Sequence, residues 1–254
     1  MKVKSLVLAL EEGITLLFLN VRINEYSDLE VLLLSKHSKK DIFISRYKKS
    51  GLLNIIGQII FILFSKFFLS RKKKYINNLI NQANLLDSNF NNIKVTRIPN
   101  EEELKVVEYL KKHNPEIVVV NGTKILSNNI LNACNAEFIN LHCGITPAYR
   151  GVHGAYWALV NNDMENCGVT IHQVDSGIDT GYILYQDKIV VSELDNFHVY
   201  PIKQYILGIP LMLKAIHDIS NNNTCYLKNT LPSKLYQHPT IIKYLYSRLK
   251  FGVK

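Results

Sequence analysis

This 254-residue sequence predicts an α/β fold with a mainly parallel sheet flanked by helices. Three observations carry that reading. Short β-branched runs without polar breaks, above all EIVVVNG at 116–122, have the character of strands buried on both faces. Stretches of helical character separate them, so strand and helix alternate along the chain. No glycine-rich GxGxxG follows the first strand, so a dinucleotide is not the expected ligand.

In chain order, SLVLAL (5–10) is the first buried strand, and EEGITLLFLNVRI (11–23) is a helix following it. EVLLLS (30–35) is the second strand, and IKVTRI (93–98) alternates as a third. NEEELKVVEYLKKHN (100–114) is a helix, with Asn100 as its cap, Glu101 to Glu103 at its positive end and Lys111 and Lys112 at its negative end. Pro115 stops it, and the strand EIVVVNG follows. AEFINLH (136–142) is a further strand, with a helix near AYWALVNN. CGVTIHQVD (167–175) and GYILYQDKIVV (181–191) are two strands joined through SGIDTG. A last helix from about Val199 to Ile219 leaves a polar tail. The expected organisation is one domain over 1–220, an insertion at about 48–88 and a short extension over 221–254.

With 47% hydrophobic and 20% charged residues, the chain has an ordinary globular composition. Its net charge of +9 favours anionic partners. Cys134, Cys143, Cys167 and Cys225 form no CxxC pair, so neither a disulfide framework nor a structural zinc site is expected. MKVKSLVLALEEG has too short an apolar run, and carboxylates too early, for a secretory signal, so a reducing cytoplasm is the expectation.

The segment 52–69, LLNIIGQIIFILFSKFFL, is long enough to raise a membrane-spanning reading. At 100° per residue, however, Asn54, Gln58 and Ser65 fall within about 40° of one another, a narrow polar stripe on a mostly apolar helix. Arg46, Lys48 and Lys49 precede the segment, and Arg71 to Lys74 follow it. A span would also put the first two strands across a membrane from the rest of the sheet. Burial in the protein or in a homodimer, and a peripheral membrane contact through 52–74, are the competing readings.

The richest chemistry lies in INLHCGITPAYRG (139–151). Alternate residues of a strand face one way, so Asn140 and His142 project together where the strand hands over to its loop. In open α/β sheets that is where pockets form. An amide donates to a carbonyl oxygen, and an imidazole donates or moves a proton. Alone, NLH fits equally a turn-capping amide and a satisfied core histidine. In VDSGIDTG (174–181), Asp175 and Asp179 are turn residues, or Asp179 is a carboxylate returning to orient and charge His142. His172, in mid-strand, is expected in the core.

Together, NLHCGITPAYRG and GVTIHQVDSGIDTGYIL resemble the folate-dependent formyltransferases, a family that includes glycinamide ribonucleotide, methionyl-tRNA and amino-sugar N-formyltransferases. The resemblance covers about 93–191 and implies the family's Rossmann-like catalytic domain. It implies catalytic roles for Asn140, His142 and Asp179, with 10-formyltetrahydrofolate as co-substrate and no metal. NPEIVVVNGTKIL (114–126) is similar to the family's folate-contacting strand and loop; Asn121, Gly122, Thr123, Ile125 and Leu126, with Asp175 and Gly177, are the expected folate residues. Arg150, His153 and Tyr149 are the expected contacts of the acceptor amine, with Arg150 and His153 meeting a phosphate. Methionyl-tRNA members carry an additional C-terminal barrel, whereas 35 residues follow Ile219 here, so no nucleic acid is expected. The CGITP loop departs from the family's Ser-Leu-Leu-Pro and leaves the acceptor open. The basic, apolar segment favours a nucleotide- or lipid-linked amino sugar of surface-polysaccharide assembly, modified in the cytoplasm or at the inner face of the membrane. The alternatives are another amine acceptor, a formyltetrahydrofolate hydrolase, and a non-catalytic membrane-associated binding protein.

Overall fold

The computed structural model describes residues 3–10, 27–34, 51–84, 94–99, 102–227 and 230–254. Its strands in chain order are β1 (Val3–Leu10), β2 (Ser27–Leu34), β3 (Lys94–Ile98), β4 (Ile117–Asn121), β5 (Glu137–His142), β6 (Arg150–Gly151), β7 (Gly168–Gln173), β8 (Ile183–Lys188) and β9 (Leu235–Tyr236). Its helices are α1 (Leu52–Gln82), α2 (Glu103–His113), α3 (Asn128–Leu131), α4 (Gly154–Val160), α5 (Val199–Ser220) and α6 (Ile241–Phe251). The helix expected over 11–23 and the proposed cap Asn100 lie outside the described residues.

Seven strands form one sheet in the order β3-β2-β1-β4-β5-β7-β8. The first five run parallel, and β7 and β8 close that edge as antiparallel strands. All five residues of β4 are buried, as a central parallel strand requires. On one face Val7, Val31, Ile117, Val119 and Ile139 pack under Ile209, Met212 and Ile216 of α5. On the other, Leu32, Leu34, Val118 and Val120 meet Val106 and Leu110 of α2. Helix α2 begins with no side-chain cap, and Glu103 instead accepts a hydrogen bond from Ser127 Oγ at 2.6 Å. Asn114, at φ 40°, ends it in the left-handed region just before Pro115.

Helix α1 occupies most of the region 48–88 read as an insertion. Its axis turns by 73° between Leu52–Phe67 and Arg71–Gln82. The second arm lies between β2 and β3 in the chain and buries Ile76 and Ile80 in the main core, so it belongs to the sheet's own helical layer. The first arm packs elsewhere, sending Phe61 into an aromatic cluster with Tyr156, Trp157, Phe197 and Tyr244. Its polar stripe turns inward: Gln58 and Ser65 are buried, while Asn54 stays exposed. Among the described residues no single helix is long and apolar enough to cross a membrane, although the bent pair passes on length and composition alone.

The 221–254 segment is more than a polar tail. Its β9 pairs in parallel with β6, and α6, capped by the Thr240 hydroxyl, lays Tyr244 5.0 Å from Phe61. The close fit of α1 on α6 leaves little room, since a Cβ on Gly57 would come within 2.9 Å of Thr240.

Candidate active site

The site lies where β4 and β5 end, as expected of the carboxyl edge of a parallel sheet. Antiparallel pairing sets His172 of β7 opposite Asn140, and Thr170 opposite His142. Asn140 Nδ2 donates to His172 Nε2 at 3.2 Å. His172 Nδ1–H in turn donates to the Gln173 carbonyl at 2.6 Å, which fixes its tautomer and leaves Nε2 as the acceptor. An amide nitrogen has two protons, so Asn140 keeps a second donor.

Beyond Asn140 the CGITP loop turns back on itself. His142 Nε2–H donates to the Tyr149 carbonyl at 2.7 Å. This close return demands a glycine at 144, where a Cβ would lie 2.4 Å from that carbonyl oxygen and 2.7 Å from His142 Nε2. Thr170 Oγ1 donates to the Gly144 carbonyl at 2.7 Å and accepts from Thr146 N at 3.1 Å, pinning the loop to β7.

The SGIDTG turn brings Asp179 to the same place. Its Oδ2 stands 3.4 Å from His142 Nδ1, and its Oδ1 stands 3.6 Å from His172 Nε2. The Gly151 amide donates to Oδ2 at 2.8 Å, and Arg150 Nη1 donates to the Ile178 carbonyl at 3.0 Å. Gly151 sits at φ 92°, and a Cβ there would lie 2.3 Å from the Tyr236 carbonyl of β9, so only glycine fits between the two segments. Asp179 itself sits at φ 51°, a left-handed conformation that Asp tolerates better than most residues. Asp175 shapes the turn from within. Its Oδ1 accepts from Gly177 N at 3.0 Å and from Thr180 Oγ1 at 2.7 Å, which closes the loop on itself.

These contacts set the charges. Burial pushes the His142 imidazole below its ordinary value, against the pull of Asp179 and the Tyr149 carbonyl. Burial works against the Asp179 carboxylate as well, but the charge that His142 carries in acid, the His172 side chain and the Gly151 amide outweigh it and hold the group down at about 2. A permanent carboxylate thus faces a ring that is neutral at neutral pH, with its lone pair at Nδ1. Burial raises the Cys143 thiol to about 12, so Cys143 offers no thiolate.

A cleft of about 760 Å³ opens over this cluster, a size suited to one small ligand or two in part. Asn121, Gly122, Thr123, Ile125, Leu126, Asp175 and Gly177 all line it, as do Asn140, His142, His153 and Asp179. Tyr149 and Arg150, the other expected acceptor contacts, are not among its lining residues. The Tyr149 ring is buried among aromatic side chains, with its hydroxyl donating to Asp163 at 2.7 Å. Arg150 straps down the turn that carries Asp179. His153 stays on the cleft, 2.9 Å from His238 Nδ1.

Several lining residues were not among the expected site residues, His172, Gln58, Gln237 and His238 among them. A signal existed for His172, because Thr170 and His172 are alternating polar residues in the otherwise apolar run GVTIHQV. Gln58 belongs to the polar stripe of α1, and its side-chain amide donates to the His238 carbonyl at 3.0 Å. Nothing local marks Gln237 or His238, which reach the cleft through the β6–β9 pairing.

Comparison with known proteins adds an independent line. The sequence profile of a family described as formyl transferase matches residues 65–200, more than half of the chain. The methionyl-tRNA formyltransferase of Thermodesulfovibrio yellowstonii is 38% identical over 111 residues, 43% of this chain and 36% of that protein. The matched stretch therefore spans little more than a third of that curated relative. Among solved structures, a 4-N formyltransferase from Francisella tularensis superposes with a TM-score of 0.56 at 19% identity, covering 92% of this chain and 76% of that one. Glycinamide ribonucleotide transformylase 1 from Symbiobacterium toebii gives 0.58 at 14% identity, covering 89% and 95%. At such identities the structural likeness speaks for the fold.

Proposed function

Because this chain belongs to the formyl transferase family, we propose that it transfers a formyl group from 10-formyltetrahydrofolate to a primary amine. The carrying observation is the convergence of Asn140, His142 and Asp179, with His172, at the floor of one cleft. The loop after β4 suits the folate. Asn121 Nδ2 is buried there with no hydrogen-bond partner among the described residues, and Ile125, Leu126 and Val174 give an apolar wall. When bound, the folate supplies an activated formyl carbonyl.

In this reading Asn140 stabilises the carbonyl oxygen as it turns negative, using the amide proton that His172 leaves free. His142, neutral and with its lone pair at Nδ1, takes up the proton released by the attacking amine as the new C–N bond forms, and that proton passes to the folate N10 as the formyl C–N10 bond breaks and tetrahydrofolate leaves. Asp179 stabilises the imidazolium so formed, and the 3.4 Å separation tightens once Nδ1 carries a proton. Holding two substrates together in the cleft supplies the remainder of the rate through positioning.

For the acceptor we favour a nucleotide- or lipid-linked amino sugar. Support comes from a second cleft of about 460 Å³, which shares Gln58 and Leu235 to His238 with the first. Lys234 and Lys243 stand on its walls, where they would meet an acceptor phosphate. A methionyl-tRNA acceptor is the second reading, favoured by the name of the sequence relative and by the net charge of +9. A panel of nucleotide-linked amino sugars, glycinamide ribonucleotide and methionyl-tRNA, each with 10-formyltetrahydrofolate, tests both. Formylation of an amino sugar alone is expected. Efficient formylation of either other acceptor would sink the sugar reading, and folate hydrolysis without any amine dependence would sink transfer itself.

A further inference from the structure

The two helices that meet beside the cleft are built inside out. Helix α1 turns Gln58 and Ser65 inward beside Ile55 and Phe61, while α6 turns Ser247 inward beside Tyr244. Outward, the first arm of α1 carries Leu53, Ile56, Ile60 and Leu63 at helical spacing, with Leu53 86% and Leu63 63% exposed. Helix α6 repeats the pattern with Ile242, Leu245 and Leu249, of which Ile242 is 77% and Leu249 87% exposed. Single exposed leucines need no explanation, but two adjoining helices with apolar outer stripes do.

Charge identifies what covers them. The two helices carry Lys66, Arg71, Lys72, Lys73, Lys74, Lys243, Arg248 and Lys250, and neither contains an Asp or Glu. Lys66, Lys73, Lys74, Lys243 and Lys250 are exposed. Lysine and arginine stems lie along apolar surface while their heads seek anions, which is the composition of a helix face resting on charged headgroups. A second copy of the chain would instead bring two such basic sets together. From the apolar stripes and their all-basic flanks we propose that the outer face of α1 and α6 docks on a bilayer surface carrying anionic headgroups. The opposite side of α1 lines the catalytic cleft through Gln58, so docking sets that cleft beside the headgroup layer. The docking does not depend on the identity of the acceptor.

Sedimentation of the full chain with vesicles tests this, using phosphatidylcholine alone and phosphatidylcholine with about one third phosphatidylglycerol. Binding to the anionic vesicles is expected, weakening as salt rises. Leu53→Ser with Leu63→Ser should lower partitioning about tenfold or more, because these side chains would leave water for the bilayer. Lys72→Gln, Lys73→Gln and Lys74→Gln should each lower it by up to roughly fivefold, the equivalent of about 1 kcal/mol per surface charge. These lysine changes leave the core untouched and keep the test valid should the serine variant fail to fold. Three results would overturn the proposal: no binding to anionic vesicles, binding indifferent to the lysine changes and to salt, or a solution dimer that the serine changes dissociate.

Discussion

At the carboxyl ends of β5 and β7, polar side chains are buried; on α1 and α6, apolar side chains stand in solvent. The polar cluster is satisfied pair by pair: Asn140 on His172, His142 on Tyr149, and Asp179 on the Gly151 amide. The apolar stripes have no such answer among the described residues. Burying polar groups costs free energy unless each finds a partner, so a satisfied buried network with one amide proton to spare marks a prepared reaction site. Exposing apolar groups costs less and asks only for a surface to cover them. The first region carries chemistry within the chain, and the second carries a contact outside it.

The sharpest test of that contrast lies within one helix. Phe61, 1% exposed, packs 4.7 Å from Phe197 and 5.0 Å from Tyr244. Phe61→Ala should cost about 3–5 kcal/mol of stability, measured by urea denaturation. Leu63, two residues on but facing out, should move stability by only about 0.5 kcal/mol when changed to Ser. Equal costs at the two positions would mean that the outer stripe is buried in the chain itself.

The next effect is electrostatic. Asp179 is held at about 2 in the folded protein, against an ordinary carboxylate value of 3.8. Its contribution, about 2 kcal/mol, is therefore full above that ordinary value and fades as pH falls through about 2. Acid unfolding of Asp179→Asn should show a stability gap from wild type at pH ~6 that closes at low pH. Asn accepts the left-handed backbone at 179, so a gap that persists in acid would point to backbone strain instead. His142 has the matching sign: because burial lowers it, its neutral form stabilises the fold in full above its ordinary value of 6.5 and less below. The acid limb of the rate profile should accordingly lie below 6.5.

A smaller effect belongs to His172, which only orients Asn140 and attends Asp179. His172→Phe removes its hydrogen bonds to Asn140 and to the Gln173 carbonyl, of which only the first, worth about 1 kcal/mol, bears on Asn140, so turnover should fall roughly five- to tenfold with little change in folate affinity. A loss as large as that of His142→Ala would make His172 a reacting group.

The same contrast explains what the sequence disclosed. The strands of the seven-stranded sheet were legible from β-branched runs and alternation, and α2 and α5 from their periodicity, because each pattern is local, whereas the short β6 and β9 carried no such pattern. Asn140, His142 and Asp179 stood out as candidates by their places at a strand end and in the SGIDTG turn, but their roles were implied only by the resemblance of the two stretches to the formyltransferases. His172 did not stand out, since its place opposite Asn140 follows from antiparallel pairing between β5 and β7. At Tyr149 only tertiary packing shows that the backbone carbonyl serves His142 while the ring packs away among aromatic side chains. In α1 the polar stripe of Gln58 and Ser65 marked a distinct side of the helix, and only tertiary packing showed that side to be the inner one.

The pair at the end of β5 carries the greatest weight in the proposed chemistry. Formyl transfer from 10-formyltetrahydrofolate should be measured for wild type, Asn140→Ala and His142→Ala, with folate binding followed in parallel by calorimetry. Each variant should lose about 10²–10³ in turnover, the range for a lost oxyanion donor at 140 and within that for a lost general base at 142, while folding and folate affinity stay near wild type. Near-wild-type turnover in His142→Ala, or a loss confined to folate affinity in both variants, would contradict the assignment of these residues to the chemistry.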